Sequence, residues 1–157
     1  MKNILVPIDF SEHSNYAVEV AVDLAKKNGA TILLLHCVEL PRRFVTESTS
    51  ALPEELFFMR EAGLNVKKLS EELKSRGVAV KTVVETTALT YAVKHLLEDE
   101  SVDFIVMGST GATGSKELFL GSNAEKIVRT SSVPVLVIKD KTDISKVKKL
   151  TFACDFS

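Results

Sequence analysis

GSTGATGSKELFLGS, residues 108–122, separates a predicted strand from a predicted helix. The apolar run FIVM before it (104–107) predicts a buried strand, and AEKIV after it (124–128) predicts a helix. Glycine lets a backbone come close to a ligand. The free N–H groups at a helix start and the positive end of the helix dipole attract anions, most often phosphate. The stretch therefore predicts a site for a nucleotide or another phosphate ligand.

The familiar phosphate-binding loops do not match this stretch. The dinucleotide spacing G-x-G-x-x-G is absent. A P-loop needs four residues between its glycines and a lysine directly after the second. Here five residues separate Gly108 from Gly114, and Ser115 precedes Lys116. Glycines after a strand are also common as plain turn residues, so the glycines alone leave both interpretations open.

Strands and helices alternate along the chain. The predicted strands cover residues 3–8, 31–38, 78–84, 104–107 and 133–138. The predicted helices begin at the capping residue Ser11, at Pro53, at Leu89 and at about Ser122, and the first two end at Gly29 and Gly77. Residues 39–52 are irregular. This alternation is typical of an α/β fold, a parallel sheet with helices on both faces.

Four stretches, in chain order, are similar to the universal stress protein family. Gly108-x2-Gly111-x9-Gly121-Ser122 resembles the nucleotide motif of that family, G-x2-G-x9-G-[S/T]. ILVPIDFS (4–11), LLLHCV (33–38) and SVPVLVI (132–138) resemble its first, second and last strands. The resemblance implies a five-stranded parallel sheet of order 3-2-1-4-5, the adenine nucleotide alpha hydrolase-like fold. A ligand then lies at the carboxyl ends of strands 1 and 4, here Asp9 and Gly108.

The resemblance implies a role for each residue at the base and sugar end of this site. Asp9 would accept hydrogen bonds from the ribose, and the Cys37 backbone would contact the adenine edge. Pro7 and Ile8 would cover the base, and Met107 would pack against the sugar. Each side chain also has a structural interpretation: Asp9 could be a helix-entry cap, and the other three could be core residues.

The glycine motif is expected on the phosphate side. Gly108 and Gly111 would let the loop approach the ribose and phosphates. Gly121, Ser122 and Asn123 would offer helix-start N–H groups, and Ser122 its hydroxyl, to the β and γ phosphates. Asn123 departs from the small apolar residue or threonine common in relatives, which puts side-chain contacts there in doubt. Residues 112–120 are expected to form a lid.

Composition and residue spacing argue against several other functions. A formal net charge of −1 gives no support for binding nucleic acid or an anionic membrane surface. The sequence shows neither a secretion signal nor an apolar run of membrane-spanning length. The two cysteines have neither metal spacing nor a disulfide framework. We therefore expect a cytoplasmic protein with reduced thiols.

The three histidines do not indicate catalysis. His13 is predicted in the exposed first turn of a helix, His36 in a buried strand and His95 on a helix face. None is paired with a cysteine or serine at catalytic spacing, which disfavours a Ser-His-Asp or metal site.

The end of the chain repeats its beginning. KKLTFACDFS (148–157) echoes KNILVPIDFS (2–11), and internal repeats are strong signals. We therefore expect residues 1–140 to form one domain, 141–147 a linker and 148–157 the start of a truncated second copy. Relatives pair through their last strand, so the resemblance implies self-association through Val133–Ile138.

The predicted function is a binding module for ATP, or for ADP or AMP, with Mg²⁺ as the expected metal. It would signal by changing its associations and would hydrolyse ATP slowly at most. One alternative is a weak ATPase or an autophosphorylating enzyme that uses Ser122 or a nearby threonine. Another is a nucleotide-free interaction module of a tandem stress protein. The sequence does not identify a regulatory protein partner.

Overall fold

The computed structural model describes residues 1–38, 52–110 and 120–149, apart from the side chains of residues 52–55. The five strands are β1 (Asn3–Ile8), β2 (Thr31–Cys37), β3 (Ala79–Glu85), β4 (Phe104–Gly108) and β5 (Val135–Ile138). The α-helices of the described residues are α1 (Glu12–Asn28), α2 (Leu52–Ser75), α3 (Leu89–Asp99) and α4 (Ser122–Thr130), and a short 3₁₀ helix spans Ile144–Lys146.

All strands pair in parallel, in the order β3-β2-β1-β4-β5. The α/β fold and the strand order predicted above are therefore confirmed. β1 is central, and Ile4 is aligned with Ile32 of β2 on one side and with Phe104 of β4 on the other. The strand order reverses between β1 and β4. Open α/β sheets bind their ligands beyond the carboxyl ends of the strands at such a point, which we call the crevice.

Helices cover both faces of the sheet, and each face has its own core. α1 and α2 pack on one face around the first cluster, which includes Ile4, Val6, Val20, Leu34 and Leu73. α3 and α4 pack on the other face around the second cluster, which includes Leu5, Leu33, Leu35, Ile105 and Ile127. Successive residues of a strand point to opposite faces, which is why Ile4 and Leu5 belong to different clusters.

The predicted ends of α1 are confirmed. The Ser11 hydroxyl accepts a hydrogen bond from the Ser14 N–H at 3.2 Å and caps the helix start. Gly29 ends the helix in the left-handed conformation, with φ 64°, which glycine adopts without steric cost. Gly77 has φ 82° just after α2. These two turns set where β2 and β3 begin.

Two strands begin one or two residues later than predicted. The Val78 N–H donates to the Leu73 carbonyl at 3.3 Å and so belongs to the turn that closes α2. The Val133 N–H donates to the Ser131 hydroxyl at 3.2 Å, and Pro134 has no N–H for a strand ladder. β3 and β5 therefore start at Ala79 and Val135.

Beyond β5, the chain turns back onto the α1 face. Ile144 is half-buried against the first cluster, and Asp143 caps the 3₁₀ helix by accepting from the Ser145 N–H at 3.1 Å. Part of the predicted linker thus packs on the domain. The repeated segment lies outside the described residues from Leu150 onward. Within the described ranges, no helix has the length and apolar character needed to cross a membrane.

Candidate functional site

The crevice lies where β1 and β4 end and α4 begins. Asp9 follows β1, and Gly108 ends the neighbouring strand β4. The Ser109 N–H donates to the Ile138 carbonyl of β5 at 2.8 Å, and the Gly121 N–H donates to the Ser109 carbonyl at 2.7 Å. Backbone hydrogen bonds therefore attach the start of α4 to the end of β4.

The start of α4 has no side-chain cap. Gly121 is the capping residue, and it has no side chain that could accept from the first N–H groups. Within the described part of the chain, no acceptor bonds the N–H groups of Ser122 and Asn123, and both residues are exposed. Free N–H groups and the positive end of the helix dipole favour an anion at this position.

Asp9 stabilises the turn between β1 and α1. Its Oδ1 accepts a hydrogen bond from the Ser11 N–H at 3.0 Å, and the residue is half-buried. The helix-entry role considered for Asp9 is therefore present in the structure. The same turn places its carboxylate at the carboxyl end of the central strand.

Phe10 and His36 fix this turn against β2, which the sequence did not suggest. Phe10 has φ 61°, a conformation that bulky residues rarely adopt. Its ring centroid lies 5.1 Å from that of His36. His36 Nδ1 donates to the Ile8 carbonyl over 2.8 Å. His36, predicted as buried, is half-buried and contacts the residues on both sides of Asp9.

Two of the motif glycines, Gly108 and Gly121, lie where the protein itself leaves little room for a side chain. A Cβ at Gly108 would lie 2.8 Å from the His13 carbonyl carbon and 2.9 Å from the Ser14 nitrogen. A Cβ at Gly121 would lie 3.0 Å from the Ser109 carbonyl oxygen. The sequence interpretation attributed these glycines to a ligand, whereas α1 and residues 109–110, directly after β4, already occupy the space beside Gly108 and Gly121. Gly111 and residues 112–119 of the predicted lid lie outside the described residues.

The residues predicted at the base and sugar end are mostly covered by protein. Ile8 is 5% exposed in the first cluster, and Met107 is 4% exposed in the second. Pro7 is also buried. Cys37 is half-buried at the end of β2, against the second cluster. The core interpretation of Pro7, Ile8 and Met107 is therefore sufficient to explain these residue types.

The side chain of His13 contacts Thr110, which lies just after β4. Its Nδ1 lies 3.0 Å from the Thr110 Oγ1, at hydrogen-bonding distance across 97 residues of sequence. The prediction of an exposed His13 is wrong, because the side chain is half-buried and bonded. Nearby, the Tyr16 hydroxyl donates to the Glu12 carboxylate, which raises the pKa of Tyr16. No spacing rule links His13 to Thr110, so the sequence offered no signal for this contact.

A metal centre is not formed by side chains of the described residues. Within ranges 1–38, 52–110 and 120–149, no three His, Cys, Asp or Glu side chains are grouped so that they could hold an ion. His95 is exposed on α3, and its Nδ1 lies 3.3 Å from Asp99 Oδ2. The described part of the site thus offers main-chain donors, hydroxyls and one carboxylate.

The comparisons with known proteins agree on one family. The sequence model of the universal stress protein family matches residues 1–139. Universal stress protein MJ0577 of Methanocaldococcus jannaschii is 31% identical over 155 residues, which cover 89% of this chain and 96% of MJ0577. Its solved structure superposes with a TM-score of 0.80 over 90% of this chain and 98% of that one.

Two further relatives extend this picture. Universal stress protein MJ0531 of the same organism is 33% identical over 88% of this chain and 82% of its own length. A universal stress protein from Archaeoglobus fulgidus, solved in complex with dAMP, has a TM-score of 0.58 at 15% identity, over 88% of this chain and 98% of that one. At that identity the likeness shows a shared fold.

Proposed function

The chain belongs to the universal stress protein family, and from that membership we propose that it binds an adenine nucleotide in the crevice between β1 and β4. The ligand is ATP, with ADP or AMP as lower-charge forms. The protein acts as a cytoplasmic binding module whose associations change with the bound nucleotide. The observation that carries this proposal is the uncapped start of α4, attached through Gly121 and Ser109 to the end of β4.

Each candidate residue has a role in this proposal. The N–H groups of Ser122 and Asn123 and the Ser122 hydroxyl donate to phosphate oxygens, because they are exposed and uncapped. Asp9 accepts from ribose hydroxyls at the end of β1. Gly111 lets the loop approach the phosphates, whereas Gly108 and Gly121 let α1 and residues 109–110 pack closely beside the site. Pro7, Ile8, Cys37 and Met107 support the base and sugar end.

Mg²⁺ would bind at this site mainly through the phosphate oxygens of the nucleotide. Mg²⁺ in nucleotide sites keeps several waters and binds through one or two carboxylates and the phosphates of the substrate. The described residues offer no preformed group of ligands, so the triphosphate itself would supply most of the coordination. Asp9 is the nearest candidate carboxylate by its place at the end of β1.

The dAMP complex of the Archaeoglobus fulgidus protein supports the ligand class. That protein shares the fold of this chain and was solved with an adenine nucleotide. Ligands of such open α/β sheets lie beyond the carboxyl ends of the strands, where the strand order reverses. In this chain that place coincides with the uncapped start of α4.

A second candidate function is slow phosphoryl transfer to the protein itself. It is favoured by the hydroxyl of Thr110, which lies 3.0 Å from a histidine nitrogen that could accept its proton. Incubation with ATP followed by intact-mass measurement distinguishes the two. A phosphorylated chain that loses the modification in Thr110→Val would establish the transfer, whereas an unmodified chain leaves binding as the function.

The binding proposal is tested with charge at the start of α4. Mass spectrometry of ligand released from the purified protein identifies the nucleotide, and calorimetry measures its affinity. Ser122→Glu places a carboxylate where phosphate oxygens are expected, and we expect ATP affinity to fall by at least about tenfold, or 1.4 kcal/mol. An acidic residue at a helix start does not weaken the helix itself.

Ser122→Gln is the matched control, since it adds the same bulk without charge. Its side-chain amide can donate to phosphate in place of the Ser122 hydroxyl, so we expect it to retain most of the ATP affinity, and both variants to bind adenosine like the parent protein. Equal ATP affinity in Ser122→Glu and the parent would contradict the site. Gly121→Val is unsuitable, because its Cβ would lie 3.0 Å from the Ser109 carbonyl oxygen even without a ligand, so a loss of ATP affinity would not separate a contact with phosphate from a shift of that carbonyl.

A further inference from the structure

We propose that His13 is a positioning residue for the phosphate side of the crevice. Its side chain holds residues 109–110, the described part of the loop after β4, and through them the start of α4, in the geometry that phosphate binding needs. This inference rests on the proposed function. It also predicts a change in the ligand-free protein, so the two can fail separately.

The first contact joins α1 to the loop. His13 Nδ1 and Thr110 Oγ1 are 3.0 Å apart, and both residues are half-buried. The backbone of the same turn of α1 packs on Gly108, where an added Cβ would lie 2.8 Å from the His13 carbonyl carbon. The backbone of His13 therefore packs on Gly108 at the end of β4, and its ring contacts Thr110 in the loop that follows.

The second contact joins the loop to α4. The Gly121 N–H donates to the Ser109 carbonyl at 2.7 Å. A Cβ added to Gly121 would lie 3.3 Å from the Thr110 Cα, so the start of α4 rests directly on residues 109–110. A shift of Thr110 consequently moves the N–H groups that the proposed function assigns to phosphate.

Catalytic and binding groups need support of this kind to keep their geometry. A single intramolecular hydrogen bond contributes a net amount of about 0.5–1.5 kcal/mol. Loss of the His13–Thr110 bond should therefore weaken ATP binding by roughly three- to tenfold. Adenosine has no phosphate to contact α4, so its affinity should not change.

The test compares variants that differ in this one bond. His13→Phe keeps a ring of similar size and removes the nitrogen, whereas His13→Asn keeps a polar atom near the position of Nδ1. Thr110→Val removes the hydroxyl and keeps the shape of the side chain. We expect His13→Phe and Thr110→Val each to weaken ATP binding, the double variant to be no weaker than either one, and His13→Asn to restore affinity.

His95→Phe is the matched control. His95 is also a histidine with Nδ1 near an oxygen, but it is exposed on α3 and its partner is Asp99 on the same helix. It should bind ATP like the parent protein. The proposal would be overturned by additive losses of ATP affinity in His13→Phe and Thr110→Val, by an equal loss of adenosine affinity, or by no recovery of ATP affinity in His13→Asn.

Amide hydrogen exchange in the ligand-free protein provides a readout that needs no nucleotide. The Gly121 N–H should exchange roughly three- to tenfold faster in His13→Phe and in Thr110→Val, because its acceptor at Ser109 is less firmly held. The Val38 N–H, bonded to the Glu85 carbonyl at 2.8 Å on another strand, should be unchanged. Unchanged Gly121 exchange overturns the positioning role, whereas absence of nucleotide binding by the parent protein overturns the proposed function alone.

Discussion

Gly108 lies where the first turn of α1 crosses the end of β4, and its lack of a side chain is a packing requirement. A Cβ there would lie 2.8 Å and 2.9 Å from backbone atoms of His13 and Ser14, which cannot rotate away. We expect Gly108→Ala to lower the free energy of unfolding by about 1–3 kcal/mol, the usual cost of overpacking. Urea denaturation measures this difference.

Gly63 provides the control for that substitution. It lies within α2, and a Cβ there would meet no atom within 4 Å. Gly63→Ala should raise the free energy of unfolding by about 0.5–1 kcal/mol, because alanine restricts the unfolded chain and favours the helix. If both substitutions changed the free energy of unfolding in the same direction, the packing argument for Gly108 would be wrong.

Individual residues were the least predictable level of the structure. Asp9 and Gly108 could be located because they end adjacent parallel strands, and strand ends are readable from apolar runs. The bond between His13 and Thr110 spans 97 residues, and the φ of 61° at Phe10 depends on its packing against His36. Neither follows from residue type or spacing, because both arise from the way that distant elements pack.

Among the elements, α1 and the end of α2 are joined by an ion pair. The two guanidinium nitrogens of Arg76 donate to the two Glu19 carboxylate oxygens at 2.7 and 2.6 Å. These hydrogen bonds hold the pKa of Glu19 below its ordinary value of 4.5. The side chains are 30% and 58% exposed, so solvent screens the pair and its contribution is about 0.5–1 kcal/mol.

The sign of its pH dependence follows from the lowered pKa. A carboxyl whose pKa is lower in the folded state stabilises the fold above its unfolded pKa, and this contribution disappears as the pH falls through the folded pKa. Glu19→Gln should therefore reduce the free energy of unfolding near neutral pH and have little effect in acid, at a pH below the lowered pKa of Glu19. Urea denaturation at both pH values provides the comparison.

Glu71→Gln is the control for the ion pair, because Glu71 lies in the last part of α2, the helix that Arg76 follows directly. Glu71 lies 3.9 Å from Lys67 in an exposed pair within α2, and such pairs contribute little. We expect no measurable change at either pH. A loss of stability in Glu19→Gln that persists in acid would show that the charge pair is not its cause.

The bounds of a helix or strand could be predicted from the sequence where a capping residue marks its end and an apolar run marks its buried face. Ser11 and Gly29 gave the ends of α1 because each satisfies backbone groups at a helix end. The starts of β3 and β5 were misplaced because the N–H groups of Val78 and Val133 bond to the preceding segment, at Leu73 of α2 and at Ser131, instead of to a neighbouring strand. Apolar character alone does not separate the last turn residue from the first strand residue.

For the whole molecule, the alternation of strands and helices along the chain predicted the parallel sheet, but the strand order came from the family resemblance. Residues 4–11, 33–38 and 132–138 matched the family in chain order, and the order β3-β2-β1-β4-β5 then placed Asp9 beside Gly108. The residues that fill the site could not be derived in the same way. Pro7, Ile8 and Met107 are buried by the protein's own clusters, so a core role and a ligand role select the same residue types.

β5 is the edge of the sheet next to β4, and three of its four residues are only half-buried. An apolar edge strand with unpaired N–H and C=O groups tends to pair with another chain. We therefore predict a homodimer in which β5 of one copy lies beside β5 of the other.

Val137→Lys places a charge at this edge and should shift the protein to the monomer. Val128→Lys is the control, because Val128 is 45% exposed on α4. Light scattering at micromolar concentration measures both. A monomeric parent protein would show that the edge is not an interface. A dimer that persists in Val137→Lys and is lost in Val128→Lys would place the interface elsewhere.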